Sequence, residues 1–152
     1  MMACLDTNVL AYAEGVNDEE RRARALDLIA ALPVGSALVP IQVLGELFRL
    51  LTAKAGRSPA TARAAILSWQ DALPVRDSTR NALLSAMDIV VEHRLSLWDA
   101  LILSVAADAG CRLLLTEDLQ ENFTWRGVTV VNPFAPATHP LLARLLAGGG
   151  AP

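Results

Sequence analysis

Lysine is almost missing from this chain: Lys54 stands alone, and every other basic side chain except two histidines is an arginine. With a net charge of -3 and a pI near 5.3, there is no bulk positive surface to hold nucleic acid, so any such contact has to be local. Cysteine is equally scarce. Cys4 and Cys111 are too few for a disulfide framework and lack the spacing of a metal site, so they read as small core residues in a reducing compartment. The histidines, His93 near a predicted helix end and His139 beside a proline, offer no paired nitrogen ligands. No basic segment precedes an apolar run at the start, and Asp6 interrupts the one early candidate for a signal sequence. The uncharged stretch 28–45 contains Pro33, Gly35 and Pro40, which is wrong for a membrane span. These absences lead to the expectation of a soluble cytoplasmic protein with no membrane partner.

What the chain does have is apolar mass. Hydrophobic residues make up 53% of 152, enough for the core of one domain. Residues 1–5 form an apolar run that stops at Asp6, and 7–14 have helical spacing ended by Gly15. Asn17-Asp18-Glu19-Glu20 reads as a helix cap with acids in the first turn and Arg21, Arg22 and Arg24 beyond it. A short strand is predicted at 37–39. The helix at 41–55 then places Val43, Leu44, Leu47, Phe48, Leu50 and Leu51 on one face, with Glu46 at its margin. Ser58-Pro59 opens a further helix to about Asp71. Pro74-Val75-Arg76 reads as an edge strand, Asp77 or Ser78 starts a helix to about Arg94, and Ser96 starts another that ends at Gly110. Strands at 111–115 and 128–131 follow, then a short helix at 141–147 and a glycine-rich end, 148–152, expected to be disordered. Alternation with short connections and no internal repeat predicts an α/β fold: one three-layer α/β/α sandwich with a mainly parallel central sheet flanked by helices.

Two of the apolar strands end in acids, at Asp6 and at Thr116-Glu117-Asp118, and two helices carry acids near their amino ends, at Glu46 and Asp99. Each acid alone has an ordinary explanation. Asp6 caps the next helix, Glu46 pairs with Arg49 at the surface, and Asp99 completes a capping box with Ser96. Together they describe four carboxylates on one rim of the sheet, the carboxyl ends of its strands, where ligands collect in open parallel sheets. Carboxylates that close repel one another, and a divalent cation resolves the conflict. Oxygen-only ligands suit Mg²⁺ or Mn²⁺, whose water is the natural nucleophile for a phosphodiester.

The motifs Leu5-Asp6-Thr7-Asn8, Gln42-Val43-Leu44-Gly45-Glu46-Leu47, Leu97-Trp98-Asp99-Ala100-Leu101-Ile102 and Leu114-Leu115-Thr116-Glu117-Asp118-Leu119-Gln120 occur in the order of a PIN domain, and from Leu5 to Phe134 the chain resembles VapC-type toxins. The resemblance implies a PIN-like nuclease domain over 1–134, with 135–152 as a tail outside it. It implies Asp6, Glu46, Asp99 and Asp118 as catalytic acids, Asp6, Asp99 and Asp118 as metal ligands, and Thr7, Asn8 and Thr116 as the polar residues that orient them. The implied activity is that of a Mg²⁺- or Mn²⁺-dependent endoribonuclease, the toxin of a type II toxin-antitoxin pair, cutting RNA to 5′-phosphate and 3′-hydroxyl ends. Its implied partners are a small antitoxin, whose apolar helix would lie between helices 17–31 and 41–55, and a second copy in a homodimer. Glu117 lies one place off the pattern and is expected to point away from Asp118. Pro40-Ile41 stand where relatives often have small hydroxyl side chains. Two alternatives stay open: a catalytically silent PIN-like binding protein, and an aspartyl-phosphate phosphohydrolase with Asp6 as nucleophile, against which Asn8 stands where a second acid is usual. Arg21, Arg22, Arg49 and Arg63 are candidates for phosphate contact or solvated helix faces.

Overall fold

In the strand β1 (Ala3–Leu5) every side chain is buried, and the same holds for β4 (Leu113–Leu115). Strands without an exposed face belong inside a sheet that is covered by helices on both sides, and that is where the computed structural model, which describes residues 1–148, places them. The sheet adds β2 (Ala37–Pro40), β3 (Val75–Arg76), β5 (Thr124–Trp125) and β6 (Val128–Val131) in the order β3-β2-β1-β4-β6-β5. All neighbours run parallel except β5 and β6. The fold is a three-layer α/β/α sandwich with a mostly parallel central sheet.

From β1 the chain moves outward through β2 to the edge at β3, and from β4 it moves the other way through β6. The carboxyl ends of β1 and β4 therefore flank the point where the winding reverses, and the connections leaving them diverge. Such a switch point is a ready crevice.

Seven helices are present among the described residues. The first, α1 (Thr7–Ala13), follows β1 directly, and Gly15 ends it with φ +85°. Asp18 caps α2 (Glu19–Ala31) by accepting from the Glu20 and Arg21 amides. Then α3 (Ile41–Ala53) leaves β2 without a connecting loop, and Ser58 caps α4 (Pro59–Ala72). For α5 (Arg80–His93) the cap is Thr79, later than Asp77 or Ser78, because the Thr79 hydroxyl accepts from the Ala82 amide at 3.0 Å. In α6 (Leu97–Asp108) all residues from Ala100 to Ala106 are buried, the mark of an interior helix rather than an amphipathic one.

The β5 strand has no counterpart in the sequence pattern, since two residues carry no period. It forms by a two-residue hairpin through Arg126 and Gly127, both at positive φ (45° and 81°), as such turns require. The last helix, α7 (Pro140–Leu146), buries Leu142 and Leu145 in the common core, and Arg24 donates to the Phe134 and Ala135 carbonyls at 2.6 and 2.9 Å just before it. Gly148 forms a turn, whereas 149–152, where disorder was expected, lie outside the described residues. No helix among the described residues is long and apolar enough to cross a membrane.

Candidate active site

The site is built around Asp6, only 4% exposed, at the junction of β1 and α1. Its two oxygens have separate work. Oδ1 accepts from the Thr7 amide at 2.7 Å, so the capping explanation is correct as far as it goes. Oδ2 accepts from the Thr116 hydroxyl at 2.8 Å, which ties Asp6 to the end of β4, and from Asn8 Nδ2 at 3.5 Å.

Asn8 is the hub between the two strand ends. Its Nδ2 lies 2.9 Å from Thr116 Oγ1 and 3.1 Å from Asp118 Oδ2, so one nitrogen reaches both carboxylates. Thr116 Oγ1 also accepts from the Asp118 amide at 3.1 Å, fixing the loop after β4. Asp6, Thr7, Asn8, Thr116 and Asp118 thus form one hydrogen-bonded unit across positions more than a hundred residues apart.

Glu46 arrives from α3. It does not pair with Arg49: Oε2 accepts from the Thr7 hydroxyl and Oε1 from Gln42 Nε2 at 2.8 Å. Asp99 arrives from the first turn of α6, where the Ser96 hydroxyl accepts from its amide at 3.2 Å. That is half of a capping box, and the carboxylate feels the charges of Glu46 and Asp118.

Burial pushes Asp6 up to about 6, opposed by hydrogen bonds from Thr116 and Thr7, with the charges of Asp99 and Glu46 adding to the rise. Asp99 is raised as well, first by burial, with the Ser96 hydroxyl opposing and Glu46 and Asp118 adding. The four acids therefore share one field. Among the described residues none of them enters an ion pair.

Glu117 is a different case. The Tyr12 hydroxyl donates to its Oε1 and Arg21 Nε to its Oε2 at 2.9 Å, so it is engaged by α1 and α2 while lining the same cleft as Asp118. Arg21 is committed there and to Asp18 at 3.0 Å. Arg49 and Lys54 instead line a cleft of about 620 Å³ with Thr7, Asn8, Glu46 and Asp118. Of the basic side chains considered for phosphate contact, Arg49 is the one on that cleft. Lys54 was given no such part by the sequence, and the signal available was its place two turns after Glu46.

Gln42 was also missed as a site residue. Its signal was spacing, since side chains four apart on a helix face one another. As for a metal, among the described residues no three carboxylates, histidines or cysteines stand close enough to enclose an ion. The donor set remains all oxygen and uncompensated in charge. It fits a hard ion that keeps most of its water and takes one or two carboxylates directly, as Mg²⁺ does, better than a closed protein cage.

A family model for the PIN domain matches residues 3–123. Among solved structures, the sarcin-ricin loop cleaving toxin VapC20 of Mycobacterium tuberculosis superposes with a TM-score of 0.64 at 24% identity, over 74% of this chain and 86% of its own. A toxin-antitoxin complex from Klebsiella pneumoniae gives 0.65 at 21%, over 87% and 98%. DNA-bound VapBC from Salmonella typhimurium gives 0.63 at 19%, over 88% and 98%. No curated protein matches the sequence. At these identities the structural likeness is one of fold.

Proposed function

The chain belongs to the PIN domain family, and from that premise we propose that it is an endoribonuclease, the toxin of a type II toxin-antitoxin pair, hydrolysing RNA with Mg²⁺ or Mn²⁺ to 5′-phosphate and 3′-hydroxyl ends. The observation that carries the proposal is that Asn8 Nδ2 bridges Asp6 and Asp118 while the charges of Glu46 and Asp99 act on the same acids, with no ion pair to any of the four among the described residues.

In this reading Asp6, Asp99 and Asp118 would hold the ion, directly or through water. When bound, the ion makes water more acidic and offsets charge on the phosphate. The chain's own part is orientation and proton transfer. Thr7, Asn8 and Thr116 fix Asp6 and Asp118 through the hydrogen bonds described above, which keeps ligand geometry set before the ion arrives. Glu46 takes the proton of the attacking water on its carboxylate, whose oxygens each keep a lone pair beyond the one engaged by Thr7 or Gln42. Arg49 and Lys54, which line the same cleft as Glu46 and Asp118, meet the RNA backbone.

The nuclease domain spans 1–134, α7 from the segment after it packs on the same core, and the protein works in the cytoplasm as a homodimer. A small antitoxin, its apolar helix laid on α2 and α3, is the partner; the solved relatives that are toxin-antitoxin complexes support it. A second reading, a silent PIN-like binding protein, draws on the absence of a three-ligand cluster among the described residues.

The deciding experiment is end-mapped cleavage of total cellular RNA by wild type and Asp99→Asn, with Mg²⁺ and with EDTA. Discrete cuts with 5′-phosphate ends, lost in the variant and in EDTA, are expected. Cutting that persists in EDTA overturns the metal-dependent reading, and no cutting by wild type favours the silent one.

A further inference from the structure

Gln42 lies in the first turn of α3, one turn ahead of Glu46, and its side-chain amide makes a junction between two helices. Nε2 donates to Glu46 Oε1 at 2.8 Å and to the Trp98 carbonyl at 3.0 Å, joining α3 to the first turn of α6 one residue before Asp99. Both partners are acceptors, so only the NH₂ end of the amide can face them and its orientation is settled by chemistry. The other end has nothing. Gln42 Oε1 is sealed from solvent and receives no hydrogen bond. A buried acceptor without a donor is destabilising, and native folds tolerate few. The sequence keeps one here, beside Glu46, where an apolar side chain of the same length would have removed the defect.

Glu46 itself is held at both oxygens. Thr7 grips it from the start of α1 and Gln42 from the preceding turn of α3. Resting on the nuclease reading, we propose that Gln42 is a positioning residue: by tying the Glu46 carboxylate to the backbone at Trp98 it sets the spacing between Glu46 and Asp99. That spacing in turn sets how tightly the acids take a divalent ion and how well Glu46 faces the attacking water. A residue retained for stability would be costly to replace by methionine. A residue retained for positioning gives a protein at least as stable and less active.

The test compares wild type, Gln42→Met, which keeps length and helix propensity while removing both the donor and the orphan acceptor, and Gln42→Glu, which turns acceptors toward acceptors. Three measurements are made: melting in EDTA, Mn²⁺ titration by calorimetry without RNA, and steady-state cleavage of a single-stranded RNA oligonucleotide. Gln42→Met is expected to melt no lower than wild type, to bind Mn²⁺ about 10–100-fold more weakly, and to lose kcat by a similar factor with KM within about twofold. Gln42→Glu loses both functions as well. In a Glu46→Gln background the Gln42→Met loss in kcat shrinks, because the two side chains act through one contact. Lower melting with unchanged Mn²⁺ affinity, or fully multiplicative losses in kcat, overturns the assignment. If wild type cleaves no RNA, the nuclease reading fails and Mn²⁺ affinity alone decides Gln42: weakening in Gln42→Met upholds its positioning role, and an unchanged affinity, or a wild type that binds no Mn²⁺, overturns it.

Discussion

Asp6 shows how one side chain serves the fold and the site together, because one oxygen caps α1 while the other is bound across the sheet. Its buried charge has a thermodynamic signature. The folded protein raises the Asp6 carboxyl from 3.8 to about 6, so between those values the folded state binds more protons than the unfolded chain. Stability from this group is fully present below about pH 4 and is lost as pH rises through 6, about 3 kcal/mol in all. Asp6→Asn is therefore expected to stabilise the metal-free protein by about 1–3 kcal/mol above pH 6, with the gain fading toward pH 4; denaturant melts across that range check it. Glu46→Gln keeps shape and loses the base, so kcat should fall by about 10²–10⁴ with little change in melting. At this scale Asp6 and Asp118 were legible, because an apolar run ending in an acid is a local pattern. Gln42 was not, because its meaning lies in Trp98, 56 positions away.

Among the elements, α6 bears most on the site. Its first turn presents Asp99, while the turns that follow are buried on every side and fix where that first turn sits. Leu103, fully buried there, leaves a cavity when shortened, and Leu103→Ala should cost about 2–5 kcal/mol in equilibrium unfolding. Ser96→Ala removes the cap that accepts from the Asp99 amide and should cost about 1 kcal/mol. Helix starts were legible wherever a capping side chain preceded an apolar period, as at Asp18, Ser58 and Ser96. Ends and two-residue strands were less so. The Asp77-Ser78-Thr79 run offers three caps in a row, and the structure selects Thr79, whose hydroxyl accepts from the Ala82 amide.

For the whole molecule, the arrangement predicts that a divalent ion binds the folded state and not the unfolded chain. Mn²⁺ at about 100 times its Kd should raise stability by about 2.7 kcal/mol, a rise read in thermal melts and abolished in Asp99→Asn. The sequence by itself determined the alternation of strands and helices, the apolar strands that must lie inside a covered sheet, and the identity of the acids at their ends, since these depend on burial and periodicity along the chain. Only the tertiary structure decided which groups meet: the parallel pairing of β1 with β4 sets Asp6 beside Thr116 and Asp118, and the approach of α3 to α6 sets Gln42 between Glu46 and the Trp98 carbonyl. Strand order and helix docking are fixed by long-range packing, and a side chain's electrostatic surroundings exist only once that packing is complete.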